Sequence, residues 1–284
     1  MEHAEPGYRD VEPEEAVKAI REGSVQVLDV RTPEEYRELG HIPGALLLPV
    51  DLVASGVATL PRRGKLLLLC CEHGIRSAAA ARFLARAGFS NLLNLKGGLS
   101  CWRGPRDFEP GEPCGPLGPS SWLIGNAELL PPRGKTLDLA CGAGRHALLL
   151  AVAGFPVRAV DRDRERIERL REAAGRLSVS LDAEVMDLEA EGTSLGEETY
   201  DLILGFHYLH RPLFPSLVRA LRSGGLLLYE TFTKEQARMG KPTNPRFLLE
   251  PGELLRLVKP LEVLRHREGE FEGRAIAGVA ARKI

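Results

Sequence analysis

Short apolar runs alternate along the chain with longer stretches in which apolar residues recur at helical spacing. In the first hundred residues, runs at 25–30, 45–48 and 65–70 predict strands, and the stretches that begin at Thr32 and at Ser77 predict helices. Strands that alternate with helices are typical of a parallel sheet covered by helices. The pattern therefore predicts an α/β fold for this part of the chain.

The same alternation returns in the second half. Apolar runs at 137–140, 157–160, 183–186, 200–206 and 226–231 predict strands, and residues 162–177 predict a charged amphipathic helix. Two more strand-like runs, 261–266 and 274–281, are joined by a polar stretch that contains glycine. The second half is thus predicted to be another α/β unit that ends in a hairpin.

Length and composition favour two domains. A chain of 284 residues with 44% hydrophobic content can bury two cores. Residues 106–119 are dense in glycine and proline and show no periodicity, and they include Cys114. We therefore predict domains at 1–105 and 120–284, joined by a semi-rigid linker at 106–119.

The charge balance argues against a nucleic-acid partner. The net charge is −1, with 13 acidic and 13 basic residues in 1–105 and 26 acidic and 25 basic residues in the remainder. The N-terminus has neither a basic start nor an apolar core, and no apolar run approaches the roughly 18 residues that span a bilayer. We expect a soluble, cytoplasmic protein without a membrane partner. No feature of the sequence sets its oligomeric state.

A thiol lies where the predicted strand at 65–70 meets the helix at 77–87. The loop reads Cys71, Glu72, His73, Gly74, Ile75, Arg76, Ser77. A thiol in this position faces backbone N–H groups and the positive end of a helix, and Arg76 adds a full charge, all of which favour thiolate. Cys71 is therefore the predicted nucleophile, and Cys70, which closes the strand, is interpreted as a buried small hydrophobe.

This C-x-x-G-x-R-S loop resembles the active loop of the rhodanese, or sulfurtransferase, family. Residues 29–36 with 40–45, and 96–99 with Trp102, resemble its flanking signatures, so the resemblance covers residues 10–103. It implies that Cys71 takes sulfane sulfur from a donor, forms a persulfide cradled by the loop and passes the sulfur to a nucleophile, with Arg76 also catalytic. The C-x4-R spacing is one residue shorter than the C-x5-R of related phosphatases, which fits sulfur better than phosphate. We expect Asp29 and Arg31 to form a structural network.

The second half is organised around residues 136–153. An apolar run enters a turn at Gly142 and Gly144 and leaves as a helix rich in alanine and leucine, a geometry that lets a nucleotide-like ligand approach the backbone. Residues 142–147 also fit the dinucleotide fingerprint, and Asp161 follows at the end of the next run, so NAD is one candidate ligand. Asp138, placed under the loop, favours a different class.

The stretch from Asp138 to Gly144 resembles the D/E-x-G-x-G-x-G motif of class I S-adenosylmethionine-dependent methyltransferases, with Ala140 at the first glycine. Over residues 120–284 the chain is most similar to small-molecule enzymes of the tellurite-resistance type. The resemblance implies a Rossmann-like, seven-stranded sheet with an antiparallel last strand, and S-adenosylmethionine as cofactor. The implied cofactor-binding residues are Asp138, Ala140, Cys141, Gly142, Gly144, Asp161, Arg162, Asp187, Leu188 and Phe206, and Trp122 is expected to cover one side of the pocket.

The methyl acceptor is expected at the carboxyl edge of the sheet, where the fourth strand ends. His207 or His210 is a candidate base, Tyr208 would orient the acceptor, and Arg211 would pair with an anion, or some of these residues cap the helix that follows. Residues 231–250 form either a lid or a solvated loop. No His/Cys spacing predicts a metal site.

We therefore predict a bifunctional enzyme that acts on a small-molecule substrate and a sulfur donor. A thiol or chalcogen acceptor is favoured, because methyl transfer is an in-line displacement and such a nucleophile needs little base catalysis. Two alternatives stay open. In one, the rhodanese-like domain is a regulatory or docking module for a methyltransferase of unrelated substrate, and in the other the protein thiolates and methylates tRNA.

Overall fold

The computed structural model describes residues 7–61, 66–108 and 118–284. The chain divides into two compact units, Met1–Glu128 with Gly175–Val179, and Leu129–Ala174 with Ser180–Ile284. Residues 109–117 of the predicted linker, with Cys114, lie outside the described residues. Trp122 groups with the first unit, in the helix Ser121–Gly125.

The first unit is built on a five-stranded sheet. Its strands are β1 (Arg9–Val11), β2 (Val25–Asp29), β3 (Leu46–Leu47), β4 (Leu66–Cys70) and β5 (Leu92–Leu95), and its helices are α1 (Pro13–Arg21), α2 (Pro33–Glu38), α3 (Ile75–Arg86) and α4 (Ser121–Gly125). The strand order is β1-β5-β4-β2-β3, and every neighbouring pair is parallel. The parallel α/β sheet predicted for this half is confirmed.

Local sequence explains where the helices of this sheet begin. Thr32 caps α2 in a reciprocal capping box with Glu35, followed by a proline at the first helical position. Helix α3 begins after Gly74, whose φ of +79° favours glycine. Strand β4 is buried except at Leu66, as a central parallel strand should be. Together these features place the loop 71–74 at the carboxyl end of β4.

The second unit is built on a seven-stranded sheet. Its strands are β6 (Thr136–Leu139), β7 (Val157–Asp161), β8 (Asp182–Val185), β9 (Tyr200–Phe206), β10 (Leu221–Phe232), β11 (Glu262–Phe271) and β12 (Arg274–Arg282), and its helices are α5 (Arg145–Val152), α6 (Arg164–Leu177), α7 (Phe214–Ala220), α8 (Gln236–Met239) and α9 (Glu253–Leu257). The order is β11-β12-β10-β9-β6-β7-β8, with β12 antiparallel to both neighbours. The predicted seven-stranded sheet with an antiparallel last strand is confirmed.

The parallel strands set the position of the second site. In the register, Leu139 pairs with Val160 on one side and with Gly205 on the other. The carboxyl ends of β6, β7 and β9 therefore lie side by side at one edge of the sheet. Ligands of open α/β sheets bind at this edge, where the strand order changes direction.

Candidate functional sites

The sulfur loop is tightly supported by the turn that follows β5. The backbone N–H groups of Leu99 and Ser100 donate to the carbonyl oxygens of Cys71 and Glu72, each at 2.9 Å. A Cβ added to Gly98 would lie 2.3 Å from the Cys71 oxygen, so only glycine allows this approach. The loop is thus held rigidly from outside.

The Cys71 sulfur lies at the N-terminus of α3. The Ser77 backbone N–H and the Ser77 hydroxyl donate to Sγ at 3.4 and 3.3 Å, and the residue is only 1% exposed. Helix N-terminal N–H groups stabilise negative charge. The arrangement therefore favours an anionic sulfur at this atom.

The neighbouring thiol behaves as the sequence predicts. Cys70 is fully buried in the core of the first unit, and burial raises the pKa of its thiol well above the ordinary value. A buried, protonated thiol is a poor nucleophile. Cys70 is a core residue, as expected.

A buried ionic network lies behind the loop. The guanidinium of Arg31, fully buried, donates to both carboxylate oxygens of Asp29, to Glu72 Oε2 at 3.1 Å and to the Gly40 carbonyl oxygen at 2.7 Å. The expected structural role of Asp29 and Arg31 is confirmed. Glu72, predicted as a loop residue, is also fixed by this network.

Arg76, which the resemblance implies to be catalytic, is paired with a carboxylate of α2. Its two terminal nitrogens donate to Glu35 at 2.7 and 2.5 Å, and this contact lowers the pKa of the Glu35 carboxyl to about 2. In the described part of the chain Arg76 donates no hydrogen bond to Cys71. The other loop side chains are accessible: His73 Nδ1 lies 3.4 Å from Ser100 Oγ, and Ile75 is 74% exposed.

Asp138 occupies the predicted position beneath the second loop. It is 1% exposed, and its Oδ2 accepts a hydrogen bond from the Ala147 N–H in the first turn of α5. Burial raises the pKa of this carboxyl to about 7. Its carboxylate therefore caps the helix from below the loop.

Three residues of the loop above Asp138 have left-handed backbone. Ala140, Gly142 and Gly144 have φ values of +47°, +58° and +80°. Ala140, which stands at the first glycine of the motif, adopts this conformation despite its Cβ. A Cβ on Gly144 would lie 2.3 Å from Leu170 Cδ1, so any larger residue would have to displace the buried Leu170 side chain.

A cavity of about 670 Å³ opens beside this loop. It is lined by Ala140, Asp161, Arg162, Arg166, Met186, Asp187, Leu188, Glu189, His207, Tyr208, Leu209, Phe232, Lys241, Pro242, Thr243, Asn244 and Phe247. Its volume is within the range of small-molecule sites. Seven of the residues predicted from the sequence are thereby brought together: Ala140, Asp161, Arg162, Asp187, Leu188, His207 and Tyr208.

Asp161 links the loop to the cavity. Its Oδ2 accepts from the Gly142 N–H at 2.8 Å, and its Oδ1 accepts from the Asp163 N–H at 2.9 Å. Asp187 Oδ1 accepts from the Glu189 N–H at 2.9 Å. A carboxylate oxygen can accept a second bond, so both acids retain capacity for a ligand.

The remaining predicted residues do not line the cavity. Cys141, Gly142 and Gly144 shape the loop, and burial raises the pKa of the Cys141 thiol. Phe206 packs on His146, with ring centroids 4.3 Å apart. Trp122, which we expected over the pocket, is likewise absent from its lining.

Two predicted residues after β9, His207 and Tyr208, line the cavity and have unusual features. His207 has a φ of +56°, stacks on Phe232 with centroids 4.8 Å apart, and burial lowers the pKa of its imidazole to about 3. The hydroxyl oxygen of Tyr208 is buried and has no hydrogen-bond partner among the described residues. Burial raises the pKa of this hydroxyl, so it keeps its proton.

His210 and Arg211 do not reach the cavity, contrary to our expectation. His210 Nδ1 lies 3.8 Å from Glu189 Oε2. Arg211 binds both carboxylate oxygens of Glu253, at 2.7 and 3.0 Å, and donates to the carbonyl oxygens of Arg246 and Leu248. Its charge is paired with Glu253 and four of its five N–H donors are occupied, so it holds backbone in place.

One wall of the cavity is formed by Lys241, Pro242, Thr243, Asn244 and Phe247. This wall and Phe232 lie within residues 231–250, for which a lid was one of the two alternatives. The Gln236 side-chain amide donates to the Lys241 carbonyl oxygen, and Arg211 holds the carbonyl oxygens of residues 246 and 248. The sequence did not single out four other lining residues, Arg166, Met186, Glu189 and Leu209.

The described ranges contain no group of three or more His, Cys, Asp or Glu side chains placed to hold a metal ion. No helix in them has the length and apolar character to cross a membrane.

The N-terminal half matches known sulfurtransferases. Residues 12–104 match the family model described as a rhodanese-like domain. The chain is 35% identical over 111 residues to the thiosulfate sulfurtransferase GlpE of Pseudomonas paraeruginosa, an alignment that covers 37% of this chain and 94% of the relative. It is 36% identical over 78 residues to a sulfurtransferase of Allochromatium vinosum, covering 28% and 71%.

The C-terminal half matches a second family. Residues 121–230 match the family model described as tellurite resistance protein TehB. The crystal structure of TehB from Haemophilus influenzae aligns with a TM-score of 0.50 at 24% identity, over 57% of this chain and 61% of that one, which supports the fold. The chain thus belongs to the rhodanese-like sulfurtransferase family through residues 12–104, and it carries a TehB methyltransferase domain at residues 121–230.

Proposed function

We propose that the first unit transfers sulfur through a persulfide on Cys71. The observation that supports this proposal is the position of Sγ, held by Ser77 at the N-terminus of α3. The Cys71 thiolate attacks the outer sulfur of the donor, the donor S–S bond breaks, and the leaving group departs with the electron pair. A nucleophile then takes the outer sulfur and regenerates the thiolate.

Cysteine variants test this assignment with a matched control. Cys71→Ser should abolish the gain of one sulfur atom that mass spectrometry detects after incubation with a donor. Cys70→Ala should retain that gain, because Cys70 is a core residue. Sulfur loading that survives in Cys71→Ser would contradict the assignment.

We propose that the second unit methylates a small thiol or chalcogen acceptor, with S-adenosylmethionine as its cofactor. The cavity fits this cofactor in size, and Asp161 and Asp187 offer carboxylate oxygens at the ends of neighbouring strands. These acids would hold the ribose and the adenine amino group. S-adenosylmethionine, when bound, supplies an electrophilic methyl carbon.

The protonation states of the cavity support the acceptor class. A general base works best with a pKa near the operating pH, and the imidazole of His207, with a pKa of about 3, is far from it. Tyr208 keeps its proton and is suited to donate a hydrogen bond. The acceptor must therefore arrive as a nucleophile, as thiolates and chalcogen anions do.

A series of thiols of different acidity tests this proposal. The midpoint of the pH–rate profile for methyl transfer should follow the pKa of each thiol, because neither His207 nor Tyr208 is expected to remove the proton. The Cys71→Ser variant serves as the enzyme, so that sulfur loading does not interfere. A midpoint that stays fixed across the series would indicate a protein base and contradict the proposal.

A further inference from the structure

Three arginines near the sulfur loop, among the residues that the structure describes, are engaged by other groups of the first unit. Arg76 is bound by both oxygens of Glu35. Arg31 is bound by Asp29 and Glu72. Arg106, the other guanidinium near the loop, donates to the carbonyl oxygens of Leu39 and Leu99 at 2.9 and 2.5 Å.

Glu35 is held in place from two sides. Besides its contact with Arg76, its Oε2 accepts from the Thr32 N–H at 3.0 Å, while the Thr32 hydroxyl accepts from the Glu35 N–H. The capping box therefore fixes the position of the Glu35 carboxylate independently of its contact with Arg76. A bidentate contact of this kind leaves Arg76 poorly placed to bind a second anion.

The charge of the loop's ionic network is also unfavourable to anions. Its two guanidinium groups, Arg31 and Arg76, are bound by three carboxylates, those of Asp29, Glu35 and Glu72. An inorganic dianion approaching Cys71 would meet no unpaired arginine of this network. The exposed side chains of the loop are those of Ile75, which is apolar and 74% exposed, and His73.

We propose that the sulfur donor of this domain is an organic hydropersulfide, R–S–SH. Glu35 selects this donor because its ion pair with Arg76 prevents Arg76 from binding dianions such as thiosulfate. The inference rests on the proposed persulfide chemistry of Cys71. The Cys71 thiolate attacks the outer sulfur of the donor and the S–S bond of the donor breaks. RS⁻ leaves with the electron pair, and the persulfide Cys71 Sγ–SH forms. The Pseudomonas relative carries the name of a thiosulfate sulfurtransferase, so the proposal separates this chain from its relative.

The test compares two donors on the full chain: thiosulfate, a dianion, and the hydropersulfide of 2-mercaptoethanol, which carries at most one negative charge. The gain of one sulfur on Cys71 is followed by mass spectrometry in single turnovers. The unchanged protein should load at least about tenfold faster from the hydropersulfide at equal concentration. Glu35→Gln should speed loading from thiosulfate about five- to tenfold, since it frees one partly exposed guanidinium, and change loading from the hydropersulfide less than about twofold.

The chain offers a matched control. Glu34→Gln removes the same charge from the neighbouring, exposed position and should change neither rate. Glutamine at position 35 still satisfies the capping box, so the fold should be kept, and the fluorescence of Trp102 and Trp122 in the same unit checks this.

The outcomes separate two failures. Equal loading from both donors, or no gain with thiosulfate in Glu35→Gln, overturns the inference about the donor while Cys71 chemistry stands. Loading from neither donor in any variant overturns the proposed sulfur transfer and this inference with it.

Discussion

Replacement of Asp138 by asparagine should stabilise the second unit at alkaline pH. The carboxyl is buried, and its pKa is raised from 3.8 to about 7. Below pH 4 it is protonated in both the folded and the unfolded chain, so it carries no penalty. Between pH 4 and about 7 the unfolded chain loses this proton while the folded protein keeps it, so the free energy of unfolding falls as the pH rises to the folded-state pKa.

The magnitude follows from the pKa. The rise corresponds to ~4 kcal/mol at ~1.4 kcal/mol per pH unit. This pKa already includes the favourable interaction of the Asp138 carboxylate with Arg145, which is also desolvated by burial. We therefore expect Asp138→Asn to raise the free energy of unfolding of the second unit by about 2 to 4 kcal/mol at pH 8 and by almost nothing at pH 4. The asparagine oxygen can still accept from the Ala147 N–H.

Both tryptophans lie in the first unit, so their fluorescence does not report on the second unit. Hydrogen exchange of peptides from β6 and β9 measures the stability of the second unit alone. His146 and His207 also have lowered pKa values, which make stability rise with pH, but they are present in both proteins and cancel in the difference. A variant that is less stable than the unchanged protein at pH 8, or a difference that does not grow with pH, would refute the reasoning.

Three further substitutions test the loop and the cavity. Ala140→Gly should raise stability by about 0.5 to 1 kcal/mol, because glycine relieves the left-handed strain at a small entropic cost, and urea unfolding followed by circular dichroism measures it. Gly144→Ala should cost several kcal/mol in the same assay, whereas Gly224→Ala, with a similar φ of +78° and no atom within 4 Å, should cost only about 1 to 2 kcal/mol. Equal losses would show that the contact with Leu170 is unimportant. Tyr208→Phe should raise the free energy of unfolding by about 1 kcal/mol, because it removes a buried hydroxyl that has no partner among the described residues. It should also raise the KM for the methyl acceptor about tenfold. A loss of stability would show that the hydroxyl has a structural partner.

Local sequence pattern accounts for much of the fold. The strand predicted at 200–206 is β9 to the residue, because a short apolar run between polar segments is recognisable without its partners. Asp138, Asp161 and Asp187 were placed correctly because parallel strands bring their carboxyl ends to one edge.

The contacts that the sequence did not predict in the two sites join residues far apart in the chain. Arg76 is bound by Glu35 and Arg211 by Glu253, each pair being separated by more than 40 positions. A charged residue beside a motif suggests a ligand contact, but its partner is set by tertiary structure. The position of the cavity wall at 241–247 likewise depends on hydrogen bonds from Gln236 and Arg211 rather than on the local sequence pattern of the segment.

The central claim is that the cavity beside the loop above Asp138 binds S-adenosylmethionine. Calorimetric titration of the full chain with S-adenosylmethionine, and separately with NAD, tests it most directly. We predict one site for S-adenosylmethionine with a Kd on the order of micromolar, weakened at least about tenfold by Asp161→Asn, and no heat of binding for NAD. Binding of NAD in place of S-adenosylmethionine would contradict the account of the second unit and leave only the sulfurtransferase.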